Sequence, residues 1–300
     1  MKLLDATMRL ALKSLLFATD FSPASQAALP YAAAIARRYG ARLCLAHVVR
    51  PQVWAPAPPE WVPMESEVPR QTAMTEMSKL EQSSLLAGLP HQVAIAEGAV
   101  WECLSRLLRG QETDLLIMGT HGRRGLQKLL MGSVAEELFR LAPCPVLTVG
   151  PHVPAARPGS GLPALLFATD FSADSARALP YALSAAREFG SELTLLHVLE
   201  PGEEMGGDRG GRDARLQARL QEMLGSEAGK VRARTEIAGG DPAERIVKAA
   251  GQRGAGLIVL GLKAPQMFAD RLPWLYAYRI VSQAPCPVLT VRGNVAEPAG

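Results

Sequence analysis

Two short stretches of this chain combine residue types that could do chemistry. The first is Thr19-Asp20-Phe21-Ser22; the second is Gly119-Thr120-His121-Gly122-Arg123-Arg124-Gly125, which runs on to Gly132-Ser133. Glycines let backbone N–H groups approach an anion closely, and Arg123, Arg124 and Lys128 add positive charge nearby. Gly132-Ser133 stands where a helix is predicted to start, and the N–H groups and dipole of a helix N-terminus favour phosphate. Together these features describe a phosphate cradle. The same residues also fit a plainer pattern, in which Ser133-x-x-Glu136 is a capping box and the glycines only turn the chain. Spacing alone leaves both readings open.

Other chemistries find less support. His47 and His197 occupy equivalent positions and, without clustered partners, read as hydrogen-bonded structural histidines rather than metal ligands. Cys44, Cys103, Cys144 and Cys286 form no C-x-x-C, and the matched A-P-C-P-V segments around Cys144 and Cys286 read as buried packing. Neither G-x-x-x-x-G-K-[ST] nor G-x-S-x-G occurs, so a P-loop and a serine-hydrolase nucleophile turn are both missing. No catalytic base or nucleophile is spelled out, and His121 has no evident partner.

The elements that must position these residues come in two copies. LLFATDFS begins at Leu15 and again at Leu165, an offset of 150 (165 − 15), and ALPYA, Gly40/Gly190 and LCLAHVVRP/LTLLHVLEP keep that offset. Later segments, DLLIMG/GLIVLG and APCPVLTV, repeat at 142 (284 − 142), so the second copy is shorter by eight residues between Pro201 and Gly239. The expected organisation is a first domain over 1–150, a Pro/Gly-containing linker over 151–163, a second domain over 164–293 and a tail over 294–300. Short apolar runs alternate with longer amphipathic ones, which predicts an α/β fold with parallel sheets and crossover helices. In the first copy strands are expected at 14–19, 42–48, 92–96, 115–119 and 146–149, and helices at 23–39, 71–87, 99–109 and 133–141. The stretch 51–70, with six prolines and two tryptophans, reads as a surface loop, with a lid or docking surface as the alternative.

Composition sets outer limits. The chain has 300 residues, 48% hydrophobic and 20% charged, which suits two folded domains and fits neither a disordered nor a coiled-coil protein. A net charge of +3 gives no reason to expect a nucleic-acid or membrane-surface partner. No run of eighteen uncharged apolar residues occurs, and Asp5, Arg9 and Lys13 interrupt the opening segment, so neither a membrane span nor a signal peptide is expected. A reduced, cytoplasmic setting fits the dispersed cysteines.

At the second stretch the pattern becomes specific. Gly119-x2-Gly122-x9-Gly132-Ser133 resembles the G-2x-G-9x-G-[ST] ATP-binding motif of the universal stress protein family, and the resemblance covers nearly the whole chain as a tandem pair. It implies, for each copy, an open five-stranded parallel sheet with helices on both faces, of the adenine nucleotide alpha hydrolase-like, Rossmann-like class. It also implies a bound adenine nucleotide, ATP, with Mg²⁺ among the phosphates. Asp20 would face the ribose, and Val48 and Met118 would line the adenine. Gly119, His121, Gly122, Arg123, Gly132, Ser133 and Val134 would surround the ribose and phosphates. Val48 and Met118 read equally well as core.

The second copy departs from the motif: Gly122, Gly132 and Ser133 become Ala264, Trp274 and Leu275, while Asp170 and Gly261 remain. One nucleotide site per chain is therefore expected, in the first copy. The resemblance implies a regulatory or protective stress-response module, with a slow ATPase or phosphoryl or adenylyl transferase, and a nucleotide-free scaffold, as alternatives. Each copy ends in a short apolar strand, and an exposed strand edge is usually covered. The two final strands are expected to pair within the chain, around Val146 and Val288; the same edge leaves a homodimer open.

Overall fold

The computed structural model describes residues 10–50, 67–120, 131–154, 162–200, 209–227, 229–263 and 271–292. The expected site residues His121, Gly122 and Arg123, the neighbouring Arg124 and Lys128, and most of the Pro/Trp-rich stretch lie outside the described residues. The described residues fall into two compact units.

One unit takes residues 12–120 and 132–144. It contains strands β1 (Ser14–Ala18), β2 (Arg42–Val49), β3 (His91–Glu97) and β4 (Leu115–Gly119), with helices α1 (Pro23–Gln26), α2 (Leu29–Tyr39), α3 (Glu67–Glu81), α4 (Val100–Gly110) and α5 (Ser133–Leu141). The strands pair in parallel in the order β3-β2-β1-β4, with Leu16 opposite both Cys44 and Leu116. Strand order reverses at β1, so the carboxyl ends of β1 and β4 flank the crevice where such sheets bind ligands. Leu15, Leu16, Phe17, Leu43, Leu45, Leu116 and Ile117 are buried, which explains why these strands read as continuous apolar runs rather than alternating ones.

The expected helix over 23–39 is divided. Ala27 keeps right-handed helical angles (φ −59°, ψ −19°), so the chain direction persists; the interruption falls where Pro30 has no N–H to give. The same ALPYA sequence in the second copy, with Pro180, sits inside one continuous helix. Gly40 and Gly190, at φ 65° and 66°, end these helices in the left-handed conformation that glycine adopts without strain. Residues 67–70, expected as the end of a loop, belong instead to α3, and a 3-10 turn at Ser84–Leu86 replaces the expected end of that helix.

The other unit takes residues 145–154 and the described residues from 162 to 292, with 10–11 and 131. Its strands are β5 (Val146–Val149), β6 (Ala164–Ala168), β7 (Glu192–Leu199), β8 (Ala233–Gly239), β9 (Leu257–Leu262) and β10 (Val288–Arg292). Its helices are α6 (Ala173–Phe189), α7 (Arg209–Leu224), α8 (Pro242–Gln252) and α9 (Arg271–Gln283). The order is β5-β10-β9-β6-β7-β8, parallel throughout except that β5 runs antiparallel to β10. The fold class is thus the open α/β sheet the sequence implies. Strand β5, at the end of the first copy, pairs with β10, at the end of the second, as expected for the two final strands: Leu289 lies opposite Leu147, Val288 opposite Thr148 and Thr290 opposite Val146.

The β5–β10 ladder carries two buried side-chain bonds as well. Thr148 Oγ1 donates to Val288 O at 3.1 Å and Thr290 Oγ1 donates to Val146 O at 3.2 Å. Replacing both threonines by valine keeps the shape and removes these bonds, and each loss is expected to cost about 1 kcal/mol in chemical denaturation.

Candidate functional site

The corner after β1 is built from short-range hydrogen bonds. Thr19 Oγ1 lies 3.0 Å from Ser25 Oγ and accepts from Phe21 N at 3.0 Å, while Ser22 caps α1 by accepting from Ser25 N at 3.1 Å. This holds Phe21 at φ 62°, a left-handed conformation that is an outlier for a bulky residue. Its ring stacks on His47 with centroids 4.4 Å apart, and His47 Nδ1–H donates to Thr19 O at 2.8 Å. Both histidines are therefore fixed structural groups, since His197 repeats the bond to Thr169 O and the stacking on Phe171.

Asp20, expected at the ribose, accepts through Oδ1 from Ser22 N at 3.0 Å and from Ser22 Oγ at 2.6 Å. These bonds fix the carboxylate at the crevice mouth. Its counterpart Asp170 is pulled up by burial, but the hydrogen bonds from Ser172 and Ser175 outweigh this and hold its pKa below the usual aspartate value. Val48 and Met118 are buried in the sheet, at 9% and 3% exposure, where they pack as core.

Gly119 is a contact residue of the fold. A Cβ there would come within 2.5 Å of Ala24 O, because the end of β4 passes directly over the backbone of α1. Gly261 is placed the same way against Asp174 O and Ser175 Cα. The first glycine of the motif therefore has a packing duty in both copies, which accounts for its presence in the copy that lacks the others.

Gly132 is the N-cap of α5 (φ −61°, ψ 147°), with no side-chain cap bond, and its N–H donates to Thr120 O at 2.9 Å. Ser133 is the first helical residue, so the capping-box alternative does not describe this helix start. Helix α4 likewise begins at Ala99 without a side-chain cap, whereas α1, α6 and α8 are capped by Ser22, Ser172 and Asp241. The uncapped starts of α4 and α5 border one cleft of about 380 Å³, lined by Arg50, Gly98, Ala99, Val100, Ser133, Val134 and Glu137. Orphan N–H groups and a guanidinium facing one space suit an anionic group. The structure thus brings Ser133 and Val134 together with residues that the motif does not contain: Arg50, the Gly98–Val100 turn and Glu137.

A comparison of the copies would have found them. By the two offsets, Arg50 becomes Glu200, Ala99 becomes Asp241, Val134 becomes Tyr276 and Glu137 becomes Arg279. Asp241 Oδ1 caps α8 by accepting from Glu244 N at 2.9 Å, and its Oδ2 accepts from Arg279 Nη1 at 2.7 Å. That bond from Arg279 is the main reason the Asp241 carboxyl is held below its usual range. Burial first, then the carboxylates of Glu200 and Asp241, push the Tyr276 phenol up. Trp274, which stands where the first repeat has Gly132, carries Arg292 over its ring at 5.3 Å.

Among the described residues, no group of three or more His, Cys, Asp or Glu side chains is placed to hold a metal ion, and no helix is long and apolar enough to cross a membrane. The four cysteines are free, and burial pushes Cys286 up to about 12.

A tandem open-sheet α/β chain with an anion-suited cleft beyond the carboxyl ends of β2 and β3, at the start of α5, is the class that fold and geometry define. A model of the universal stress protein family matches residues 11–150 and again 163–292, and the chain belongs to that family. It is 27% identical over 288 residues to a universal stress protein of Mycolicibacterium smegmatis, covering 93% of this chain and 96% of that one. A shorter universal stress protein of Methanocaldococcus jannaschii is 31% identical over 139 residues, 46% of this chain and 81% of that protein. In fold, the chain is similar to the crystal structure of a universal stress protein from Archaeoglobus fulgidus (TM-score 0.72, 21% identity), covering 94% of this chain and 99% of that one.

Two outcomes follow. Gly119→Ala and Gly261→Ala should each destabilise the fold by about 1–3 kcal/mol through the clash with helix backbone, in both copies alike, as measured by denaturant titration. Cys286 should stay silent to a thiol-specific disulfide reagent in the native chain at pH 8 and react at once on unfolding, because its thiolate fraction is negligible until far higher pH.

Proposed function

We propose that this chain is an ATP-binding regulatory or protective module of the cytoplasmic stress response, with one nucleotide site, in the first repeat, and a second repeat that does not bind nucleotide. One observation carries the reading. The first repeat presents a cleft of about 380 Å³ with Arg50 and the uncapped start of α5, and the corresponding positions of the second repeat hold the Asp241–Arg279 ion pair and the carboxylate of Glu200. A polyphosphate meets Arg50 and orphan donors beside the one carboxylate of Glu137 in the first case, and two carboxylates, one already tied to Arg279, in the second.

Ser133, Val134, Gly132 and Arg50 would hold the phosphates, and the family motif implies contacts from His121, Gly122 and Arg123 as well. Asp20, fixed by Ser22, would meet the ribose near Val48, Met118 and Gly119. The bound nucleotide would bring Mg²⁺ to balance its phosphate charge.

Mass spectrometry of the ligand released from the freshly purified full chain should detect adenine nucleotide, and calorimetric titration should give one ATP per chain. Gly132→Val should abolish that binding while leaving the nucleotide-free thermal midpoint close to the parent's. At ATP 100-fold above Kd the parent should gain about 2.7 kcal/mol of stability and the variant none. Two ATP per chain, or unchanged titration of the variant, would overturn the reading. Phosphate release measured in the same samples separates a binding module from an ATPase.

A further inference from the structure

The amino ends of β1, β2 and β3, opposite the nucleotide cleft, enclose a second space in the first unit. This groove of about 400 Å³ is lined by Ser14, Arg42, Cys44, Gln92, Arg109, Gly110, Gln111 and Glu112. Its walls carry two guanidiniums and two carboxamides against the single carboxylate of Glu112. Neither Arg42 nor Arg109 forms a salt bridge among the described residues. The floor is the buried Cys44 thiol, which Gln111 Nε2 approaches at 3.4 Å, and burial pushes that thiol's pKa up, so it adds no charge.

The plain role of Arg109 would be to compensate the carboxyl end of α4, but that end is already served by backbone. Gln111 N donates to Leu107 O, Thr113 N to Leu108 O and Glu112 N to Arg109 O, at 2.9–3.1 Å. The nearby Asp114 carboxylate is likewise engaged, accepting from Lys13 N at 2.7 Å and Ser14 N at 2.9 Å.

The second repeat shows what a self-satisfied version looks like. There Arg42, Cys44, Gln92 and Arg109 are replaced by Glu192, Thr194, Arg234 and Gly251. Arg234 pairs with Glu192 at 2.9 Å and donates to Thr194 Oγ1 at 3.2 Å, so the one cation introduced has a carboxylate and a hydroxyl of its own. The first repeat keeps two cations against the one carboxylate of Glu112, and neither arginine forms an ion pair among the described residues.

We propose that this groove is a second binding site, distinct from the nucleotide cleft, for a small phosphorylated metabolite. Arg42 and Arg109 hold its phosphate, and Gln92 and Gln111 hydrogen-bond its polar body. The volume lies within the range of small-molecule sites, and guanidinium is the side-chain group best matched to phosphate oxygens. Because both arginines are exposed, binding is fast and salt-sensitive.

The full chain, labelled with ¹⁵N-arginine, is titrated with inorganic phosphate at constant ionic strength, with and without saturating ATP, while side-chain Nε–H signals are followed by NMR. The expected result is a saturable shift of the Arg42 and Arg109 signals that ATP does not compete away. Arg42→Gln or Arg109→Gln should weaken the midpoint about tenfold and the pair should abolish it, with thermal midpoints unchanged because both side chains are exposed. Shifts that never saturate, shifts confined to Arg50, or an unchanged midpoint in the double variant would overturn the proposal. Loss of ATP binding would bear only on the nucleotide cleft, since the ATP-free titration stands alone.

Discussion

The close approach of one strand end to one helix backbone is the constraint on which the rest depends. Where β4 meets α1, and β9 meets α6, there is no room for a Cβ, and glycine is the side chain that fits. That contact sets the depth of the crevice between β1 and β4. It also fixes where the chain leaves β4, and through the Gly132–Thr120 bond it fixes where α5 begins. The strained corner at Phe21 follows from the same geometry: the chain must turn sharply to start a helix under the neighbouring strand end. Thr19, Ser25 and His47 supply the bonds that hold it there.

Much of this was legible in the sequence. The repeat gave the element order twice, and continuous apolar runs gave the buried parallel strands. What the sequence did not show were contacts that depend on a distant backbone. Gly119 looked like part of a phosphate motif, and its neighbour in space, Ala24, is far away in sequence. The pairing of β5 with β10 was legible as two short apolar edge strands that need cover, whereas its register was not, since an apolar run does not say which residues will stand opposite. Arg50 and Glu137 carry no local motif and emerge as a pair only when β2 and α5 are brought together. The 3-10 turn after α3 and the break before Pro30 were invisible for a simpler reason: both are changes in hydrogen bonding that leave composition untouched.

The two repeats show how a duplicated site diverges without loss of fold. The TDFS corner, the histidine bond and the crossing glycine persist in both, because changing any of them would strain the backbone. The groups that face open space at the carboxyl ends changed sign as a set: Arg50 against Glu200, and Glu137 against Arg279. Arg279 has its partner in Asp241, which stands where the first repeat has the neutral Ala99, so the second repeat holds its own counter-charge.

The antiparallel partner of β5 has a consequence for biosynthesis. Val146 is synthesised 142 residues before Val288 (288 − 146), so at typical translation speeds of roughly 5–20 residues per second the β5 side of this ladder waits on the order of 7–30 s for β10 to be made. During that interval a four-residue apolar strand on each nascent chain lacks its final covering strand. On a crowded polysome the neighbouring ribosomes hold identical strands in the same condition. At four residues, β5 offers few backbone groups through which a copy of itself could pair in that interval.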